Sequence, residues 1–409
     1  MRIKFLLVFS AAAAMLFGWT SLGEDSWPQW QGVNHDNISP DKGLLKSWPK
    51  EGPKLLWKFD DCGKGYSTVS IADGTIFTAG DFGDDAVVIA LDMNGKLKWK
   101  GKGGRGWKAS HPGSRGTPTY NDGMVYYLSG SGSIVALDAK TGATVWEVDT
   151  TSSYGAKWGS WGLAESLYVD GDNVLCMPGG SKGFMVALNK KTGKAAWVSD
   201  KFKDAASYCS PLVVNVAGMR QIISMSAKNV VGLDAKSGEL LWSSPKVTEY
   251  DVNVTTPVFK DGCFYVTSGY GAGGKLLKIG ADGKSVSEVW SSKELDNHHG
   301  GVVLLDGCIY GAGDRSSGWW CLDFKTGKKM WQDKGVGKGS VTCADGMLYC
   351  LSENGCAALV EASPAGYKES GRFNLPPEPK DPFWAHPVVC GGRLYVKHAN
   401  FLYAYDVKK

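Results

Sequence analysis

The segment Leu137-Asp-Ala-Lys-Thr-Gly-Ala-Thr-Val-Trp146 decides the fold of this chain, because closely similar copies of it occur four more times. The other copies begin at Leu91, Leu188, Leu233 and Leu322, and they end at Trp99, Trp197, Trp242 and Trp331. Internal similarity at a nearly constant period is typical of a repeat fold, in which each unit packs against its neighbours.

Each copy predicts a β-hairpin. The Asp or Asn after the leucine can accept hydrogen bonds from its own turn, and the glycine supplies the positive φ that such a turn requires. The closing tryptophan then falls on the outer strand, where only a neighbouring repeat can bury it. A second hairpin precedes most copies, marked by Asp73-Gly74, Asp122-Gly123, Asp170-Gly171, Asp261-Gly262, Asp306-Gly307 and Asp345-Gly346. Two hairpins make the four strands of one β-propeller blade.

The spacing of the repeat-ending aromatic residues predicts the number of blades. These residues are Trp57, Trp99, Trp146, Trp197, Trp242, Trp290, Trp331 and Phe373, at steps of roughly 41 to 51 residues. The segment 384–407 supplies only three strands, so we expect residues 54–59 to add the fourth and close the ring without an open edge. The sequence therefore predicts an all-β, eight-bladed β-propeller of four-stranded antiparallel blades. Their bounds are 66–99, 114–146, 160–197, 207–242, 253–290, 298–331, 338–373 and 384–407 plus 54–59.

Two segments precede the ring. Arg2 and Lys4 lead into an apolar stretch and then into Ser21 and Gly23, which predicts a signal peptide at residues 1–23. We expect a periplasmic or secreted protein without a transmembrane segment, because no stretch stays apolar for about 20 residues, and no cysteine suggests a lipid anchor. Residues 24–53 are predicted to form an arm across one face, and residues 54–409 the propeller domain.

The charge and the cysteine content indicate which partners the chain is not expected to bind. The formal charge is +4, with acidic and basic residues mixed along the chain, so we predict no nucleic-acid binding, and we expect a monomer. The ten cysteines mostly replace apolar strand residues, which predicts buried thiols. No Cys-x-x-Cys or Cys/His spacing predicts a metal site.

Candidate site residues lie where loops enter the innermost strands. Aligning the blades on their turns, or on Pro211 and Pro387, gives two tiers of residues directed at the ring axis, since strand side chains alternate with period two. The tiers, with Trp161 and His298 beside them, predict a ligand-binding funnel made of Tyr66, Arg115, Trp161, Glu165, Tyr208, His298, His299, Lys338, Trp384 and His386.

The funnel permits two interpretations. Aromatic faces with a few convergent charges suit a flat, anionic or polar small molecule, whereas the same side chains could instead plug the channel and bond to one another. His298 and His299 are adjacent, and on a strand they would point to opposite faces, so we predict no shared metal ion. No nucleophile, base and orienting group can be identified together, and no catalytic residue is assigned.

The Leu-Asp-x-x-Thr-Gly-x-x-x-Trp motif resembles the repeat of the pyrroloquinoline-quinone-like (PQQ-like) propeller superfamily over nearly the whole mature chain. That superfamily includes quinoprotein alcohol dehydrogenases and a non-enzymatic outer-membrane assembly lipoprotein. The chain looks most similar to exported bacterial proteins of the PQQ-binding-like or polyvinyl-alcohol-dehydrogenase-like group. Trp27-Pro-Gln-Trp30, Asn297-His-His-Gly-Gly301 and Trp384-Ala-His-Pro387 are among the segments that carry this likeness.

The resemblance implies two functions. One is a scaffold that binds a small molecule or a protein partner. The alternative is a PQQ-dependent alcohol dehydrogenase-like enzyme, with calcium, in which Arg115 and Lys338 would pair with quinone carboxylates and Trp384 would stack on the quinone. The family's dehydrogenases carry two adjacent cysteines and a calcium held by Glu, Asn and Asp. This sequence contains no Cys-Cys pair and no matching trio, so we expect the scaffold and leave enzymatic activity open.

Overall fold

A computed structural model describes residues 25–409 of the chain, and the predicted signal peptide lies outside the described residues. Export therefore stays a prediction. The described chain is nearly all β, with eight antiparallel blades in a ring, which confirms the predicted eight-bladed β-propeller. Within residues 25–409, no helix is long and apolar enough to cross a membrane.

The strands follow the predicted blade order. Two precede the first blade: β1 (Ile38–Ser39) and β2 (Lys54–Phe59). Blades 1 to 4 contain β3 (Ser70–Ala72), β4 (Thr75–Phe82), β5 (Asp85–Asp92), β6 (Leu97–Arg105); β7 (Thr119–Asn121), β8 (Met124–Leu128), β9 (Ser133–Asp138), β10 (Thr144–Asp149); β11 (Tyr168–Asp170), β12 (Asn173–Cys176), β13 (Met185–Asn189), β14 (Ala195–Ser199); and β15 (Leu212–Val216), β16 (Met219–Met225), β17 (Asn229–Asp234), β18 (Leu240–Pro245).

Blades 5 to 8 contain β19 (Val258–Lys260), β20 (Cys263–Ser268), β21 (Gly273–Ile279), β22 (Val286–Ser292); β23 (Val302–Leu305), β24 (Cys308–Ala312), β25 (Trp319–Asp323), β26 (Lys329–Asp333); β27 (Gly339–Ala344), β28 (Met347–Ser352), β29 (Cys356–Glu361), β30 (Glu369–Asn374); and β31 (Val388–Cys390), β32 (Arg393–His398), β33 (Phe401–Asp406). A helix α1 (Thr150–Tyr154) follows β10, and a 3-10 turn (Glu249–Asp251) lies between β18 and β19.

The ring closes as predicted. Strand β2 pairs antiparallel with β33, from Lys54 opposite Asp406 to Phe59 opposite Leu402, and so completes blade 8. The two ends of the propeller are thereby joined by backbone hydrogen bonds, and blade 8 has its full set of four strands.

The repeat motif joins each blade to the next. The indole N–H of Trp99 donates to the carbonyl of Ala139 in the turn of the following blade, at 3.1 Å. The same ring lies against the turn glycine: Gly142 has a φ of +73°, and a Cβ there would come within 2.6 Å of Trp99. Five more repeats make the equivalent bond, from Trp57, Trp146, Trp197, Trp290 and Trp331. The motif thus specifies a turn and an inter-blade contact together.

The cysteines behave as apolar core residues. All ten are free thiols, and eight of them are buried, which confirms the expectation of mostly buried thiols. Eight of the ten lie on strands, where a small thiol fits the space between two sheets.

The N-terminal arm enters the ring axis. Strand β1 pairs in parallel with β27, the innermost strand of blade 7. Before it, Trp27 forms an antiparallel bridge with Ile71 of β3, and Pro28 accepts a hydrogen bond from the Tyr120 backbone at 2.8 Å. After it, Leu44 reaches Lys408 beside blade 8. The prediction placed the arm across one face, whereas the contacts of residues 27, 28, 38 and 39 lie along the innermost strands of blades 1, 2 and 7.

Candidate functional site

A cavity of about 300 Å³ opens at the ring axis, on the face where loops enter the innermost strands. The structure brings eight of the ten predicted residues to its wall: Tyr66, Arg115, Trp161, Tyr208, His298, His299, Trp384 and His386. Glu165 and Lys338 are not part of this wall.

Glu165 points into the protein instead of the cavity. Its neighbours Ala164 and Ser166 line the cavity, and the side chain between them faces the other way. Its Oε1 accepts a hydrogen bond from the Met177 backbone N–H at 2.6 Å. Burial raises the pKa of Glu165 to about 7, against opposing hydrogen bonds from Met177 and Cys176. The funnel prediction was wrong for this residue because the inward-facing positions of blade 3 are shifted by one.

This burial predicts a pH-dependent stability. A carboxyl whose pKa rises from 4.5 to about 7 on folding stabilises the protein fully below pH 4.5, and that contribution is lost as the pH rises through 7. Through this carboxyl the free energy of unfolding of the wild type should fall by about 2 kcal/mol between pH 5.5 and pH 8. Glu165→Gln should not show this fall. Urea unfolding at the two pH values measures this change. Glu147→Gln, at an exposed carboxyl, is the matched control, and an unchanged pH profile in Glu165→Gln would contradict the assignment.

Lys338 is neutralised by acidic neighbours. Its Nζ lies 2.9 Å from Asp314 Oδ1 and 3.3 Å from Glu353 Oε1, and 3.1 Å from His298 Nδ1. Burial raises the pKa of Glu353. Contacts with His299 and Lys338 and a hydrogen bond from Trp384 Nε1 outweigh burial and lower this pKa to about 2. The ammonium and the two carboxylates satisfy one another, so Lys338 supports the wall and is not free to pair with a ligand.

Two of the cavity histidines, His298 and His386, are uncharged at neutral pH. Burial lowers the pKa of His298 to about 3 and that of His386 to about 4. His386 Nε2 donates to the His299 carbonyl at 2.8 Å. His298 and His299 both line the cavity, with ring centroids 4.9 Å apart. The expectation of opposite faces was wrong, because both residues precede β23 and strand alternation does not apply to them.

Aromatic rings form a nearly continuous belt around the cavity and its mouth. Neighbouring centroids lie 4.8 to 6.2 Å apart, within the range of favourable ring contacts. We name this feature the aromatic belt, and its members in order are Tyr208, Trp161, Tyr250, Tyr270, His298, His299, Trp384 and Tyr66. The belt gives the site flat apolar surfaces on most sides.

Arg115 occupies the gap in the belt. It enters from blade 2, between Tyr66 of blade 1 and Trp161 of blade 3. Its guanidinium donates to the carbonyls of Gly113, Ser110 and His111 at 2.6 to 3.2 Å, and no carboxylate of residues 25–409 lies within 4 Å of it. Burial lowers its pKa to about 10, so the group stays charged at neutral pH. Three of its five N–H groups donate to these carbonyls.

Sequence reasoning missed the cavity floor. Trp30 and Gln31 of the arm line the cavity. The Trp30 indole donates to Thr256 Oγ1 of blade 5 at 3.1 Å, and its ring lies 4.5 Å from His386 of blade 8. One side chain thus spans the axis between distant blades. The available signal was Trp27-Pro-Gln-Trp30, a tryptophan-rich segment that lies outside every repeat.

Comparison with known sequences identifies one matching family and several relatives that match over only part of their length. The repeat family described as outer membrane protein assembly factor BamB matches residues 100–333. Quinohemoprotein alcohol dehydrogenase ADH-IIG of Pseudomonas putida is 32% identical over 154 residues, which cover 35% of this chain and 21% of that protein. Methanol dehydrogenase subunit 1 of Methylorubrum extorquens is 26% identical over 200 residues, 43% of this chain and 30% of that protein. The match thus spans less than a third of either relative.

Solved structures share the architecture. BamB of Moraxella catarrhalis superposes with a TM-score of 0.59 at 15% identity, over 87% of this chain and 97% of that chain. Quinohemoprotein alcohol dehydrogenase of Comamonas testosteroni gives a TM-score of 0.69 at 13% identity, over 94% and 81% of the two chains. At these identities the likeness establishes the fold alone.

Proposed function

The chain belongs to the PQQ-repeat propeller family described as outer membrane protein assembly factor BamB, and from that premise we propose that its axial cavity binds a compact, flat, anionic small molecule. The observation that carries this proposal is the aromatic belt interrupted by Arg115, the one cation on the described cavity wall that has no acidic partner. The cavity volume of about 300 Å³ lies at the small end of ligand pockets.

The wall chemistry selects for the shape and charge of the ligand. A planar ring would exchange water for contact with Trp161, Tyr208 and Trp384, which contributes apolar burial and ring contacts. A carboxylate would receive charge-assisted hydrogen bonds from Arg115, and these are stronger than bonds between neutral groups. The neutral His298 and His386 add no further charge to the wall. A flat monocarboxylate matches both parts of the site.

Calorimetric titration of the mature protein with benzoate and benzamide tests the proposal. The two probes share size and shape and differ in charge. We expect saturable binding of benzoate, roughly tenfold or more tighter than that of benzamide, since a hydrogen bond to a charged group contributes about 1.5 to 3 kcal/mol. Equal affinities would remove the anionic preference, and the absence of saturable benzoate binding would overturn the proposal.

The site does not fit a quinone tricarboxylate held with calcium, the group implied by the names of several relatives. Of the two cations expected to pair with quinone carboxylates, Lys338 is already bound to Asp314 and Glu353. Trp384, expected to stack on the quinone, does line the cavity, and its position alone does not distinguish a quinone from a smaller planar ring. In the part of the chain that the structure describes, no three His, Cys, Asp or Glu side chains converge as metal ligands. We therefore derive no quinone-dependent reaction for this chain.

A further inference from the structure

One member of the aromatic belt stands outside the cavity, at its mouth. The Tyr250 side chain is 64% exposed and does not line the cavity. It contacts Trp161 and Tyr270 edge to face, at 6.1 and 5.6 Å between ring centroids, and both of these residues do line the cavity. The apolar surface of the cavity therefore continues outward onto an exposed ring.

The backbone that presents this ring is strained. Tyr250 and Asp251 have φ values of +60° and +58°, and Tyr270 has +58°. Left-handed backbone at residues other than glycine costs roughly 1 to 2 kcal/mol at each position. Neighbouring contacts hold the strained turns: Glu249 pairs with Arg315 at 2.5 Å, and the Tyr270 N–H donates to Asp314 Oδ2 at 2.8 Å.

The strain at Tyr250 is offset by little burial, because the residue is 64% exposed and its ring makes only edge-to-face contacts with Trp161 and Tyr270. An exposed tyrosine recovers little of the free energy that burial would supply, yet the fold keeps its ring beside Trp161 and Tyr270. Strained residues cluster where they contact ligands, and the inference runs from the observed outlier to a function. The continuity with the cavity indicates which ligand this ring would contact.

We propose that Tyr250, held edge to face by Trp161 and Tyr270, presents its ring at the mouth as a stacking platform for a second flat ring of the cavity ligand. This inference rests on the proposed function and names its ligand class: a two-ring aromatic carboxylate. The carboxylate-bearing ring lies inside, near Arg115, and the outer ring stacks at the mouth. The small cavity volume agrees with a ligand that extends beyond it.

Titration of the mature protein with benzoate and biphenyl-4-carboxylate tests this inference. The variants are Tyr250→Ala, which removes the ring, and Tyr250→Phe, which keeps it. We expect the biphenyl acid to bind the wild type about tenfold more tightly than benzoate. Tyr250→Ala should reduce this advantage to less than threefold, and Tyr250→Phe should keep it. Far-ultraviolet circular dichroism of both variants shows that they remain folded, and the advantage is taken as the ratio of the two affinities in the same variant, so that any change in benzoate binding is accounted for.

The outcomes separate this inference from the proposed function. If benzoate binds and the biphenyl acid shows no advantage, or if its advantage survives in Tyr250→Ala, the platform is wrong and the cavity proposal stands. If benzoate does not bind the wild type, both are overturned.

Discussion

Replacement of Arg115 by methionine is expected to weaken benzoate binding by about 10- to 100-fold. The variant removes the single unpaired charge of the cavity wall and keeps an apolar chain of similar length beside Trp107, over whose ring the guanidinium lies at 5.5 Å. The loss of hydrogen bonds to a charged group, at about 1.5 to 3 kcal/mol, corresponds to this range. Benzamide affinity should change by less than threefold. Calorimetric titration of both probes measures the two effects.

Arg105→Met is the matched control. Arg105 is an exposed arginine paired with Asp149 at 3.5 Å, away from the cavity, and its replacement should leave both affinities unchanged. Of the carbonyls that lose Arg115 as a donor, two belong to the exposed residues Ser110 and His111 and one to the buried Gly113. Far-ultraviolet circular dichroism checks that the variant folds. Benzoate affinity equal to that of the wild type would show that Arg115 does not bind the anion.

Trp27→Ala should lower the free energy of unfolding by about 3 to 5 kcal/mol, the usual cost of truncating a buried tryptophan. The Trp27 side chain is 1% exposed and packs with Ile71 of blade 1 and Val388 and Tyr395 of blade 8. It therefore fills the junction at which the ring closes, and its loss leaves a cavity between the first and last blades. Urea unfolding followed by far-ultraviolet circular dichroism measures the effect.

Val33→Ala in the same arm is the control for this prediction. Val33 is 41% exposed, and a surface substitution of this kind usually changes stability by less than about 0.5 kcal/mol. If Trp27→Ala unfolds at the same urea concentration as the wild type, the arm does not contribute to the stability of the propeller.

Much of the candidate site could be predicted from the blade alignment. Arg115 and Trp384 occupy equivalent positions of different blades, and the structure brings both to one cavity wall. The alignment was wrong at Glu165, because the cavity-facing residues of blade 3 are Ala164 and Ser166, one position away from the aligned ones. It was also wrong about the opposite faces of His298 and His299, because those residues lie in a loop, to which no strand period applies.

The predicted role of Lys338 illustrates a different limit. Its position beside the axis was expected, but its charge is neutralised by Asp314 and Glu353, which follow the inner strand pairs of two blades. Neither acid belongs to the tiers that the alignment singled out. The availability of a charge to a ligand thus depends on side chains from a neighbouring blade, such as Asp314, and from a different loop of the same blade, such as Glu353.

The sequence by itself determined the eight blades, their order and the closing strand, because each blade is specified by contacts between residues close in the chain and by one repeated contact with the next blade. The floor of the cavity was decided only by the tertiary structure. Trp30 reaches Thr256 and His386, more than 200 residues away, and this partnership exists only after the ring has closed around the arm. Local patterns repeat and can be aligned, whereas a contact made once across the axis leaves no period in the sequence.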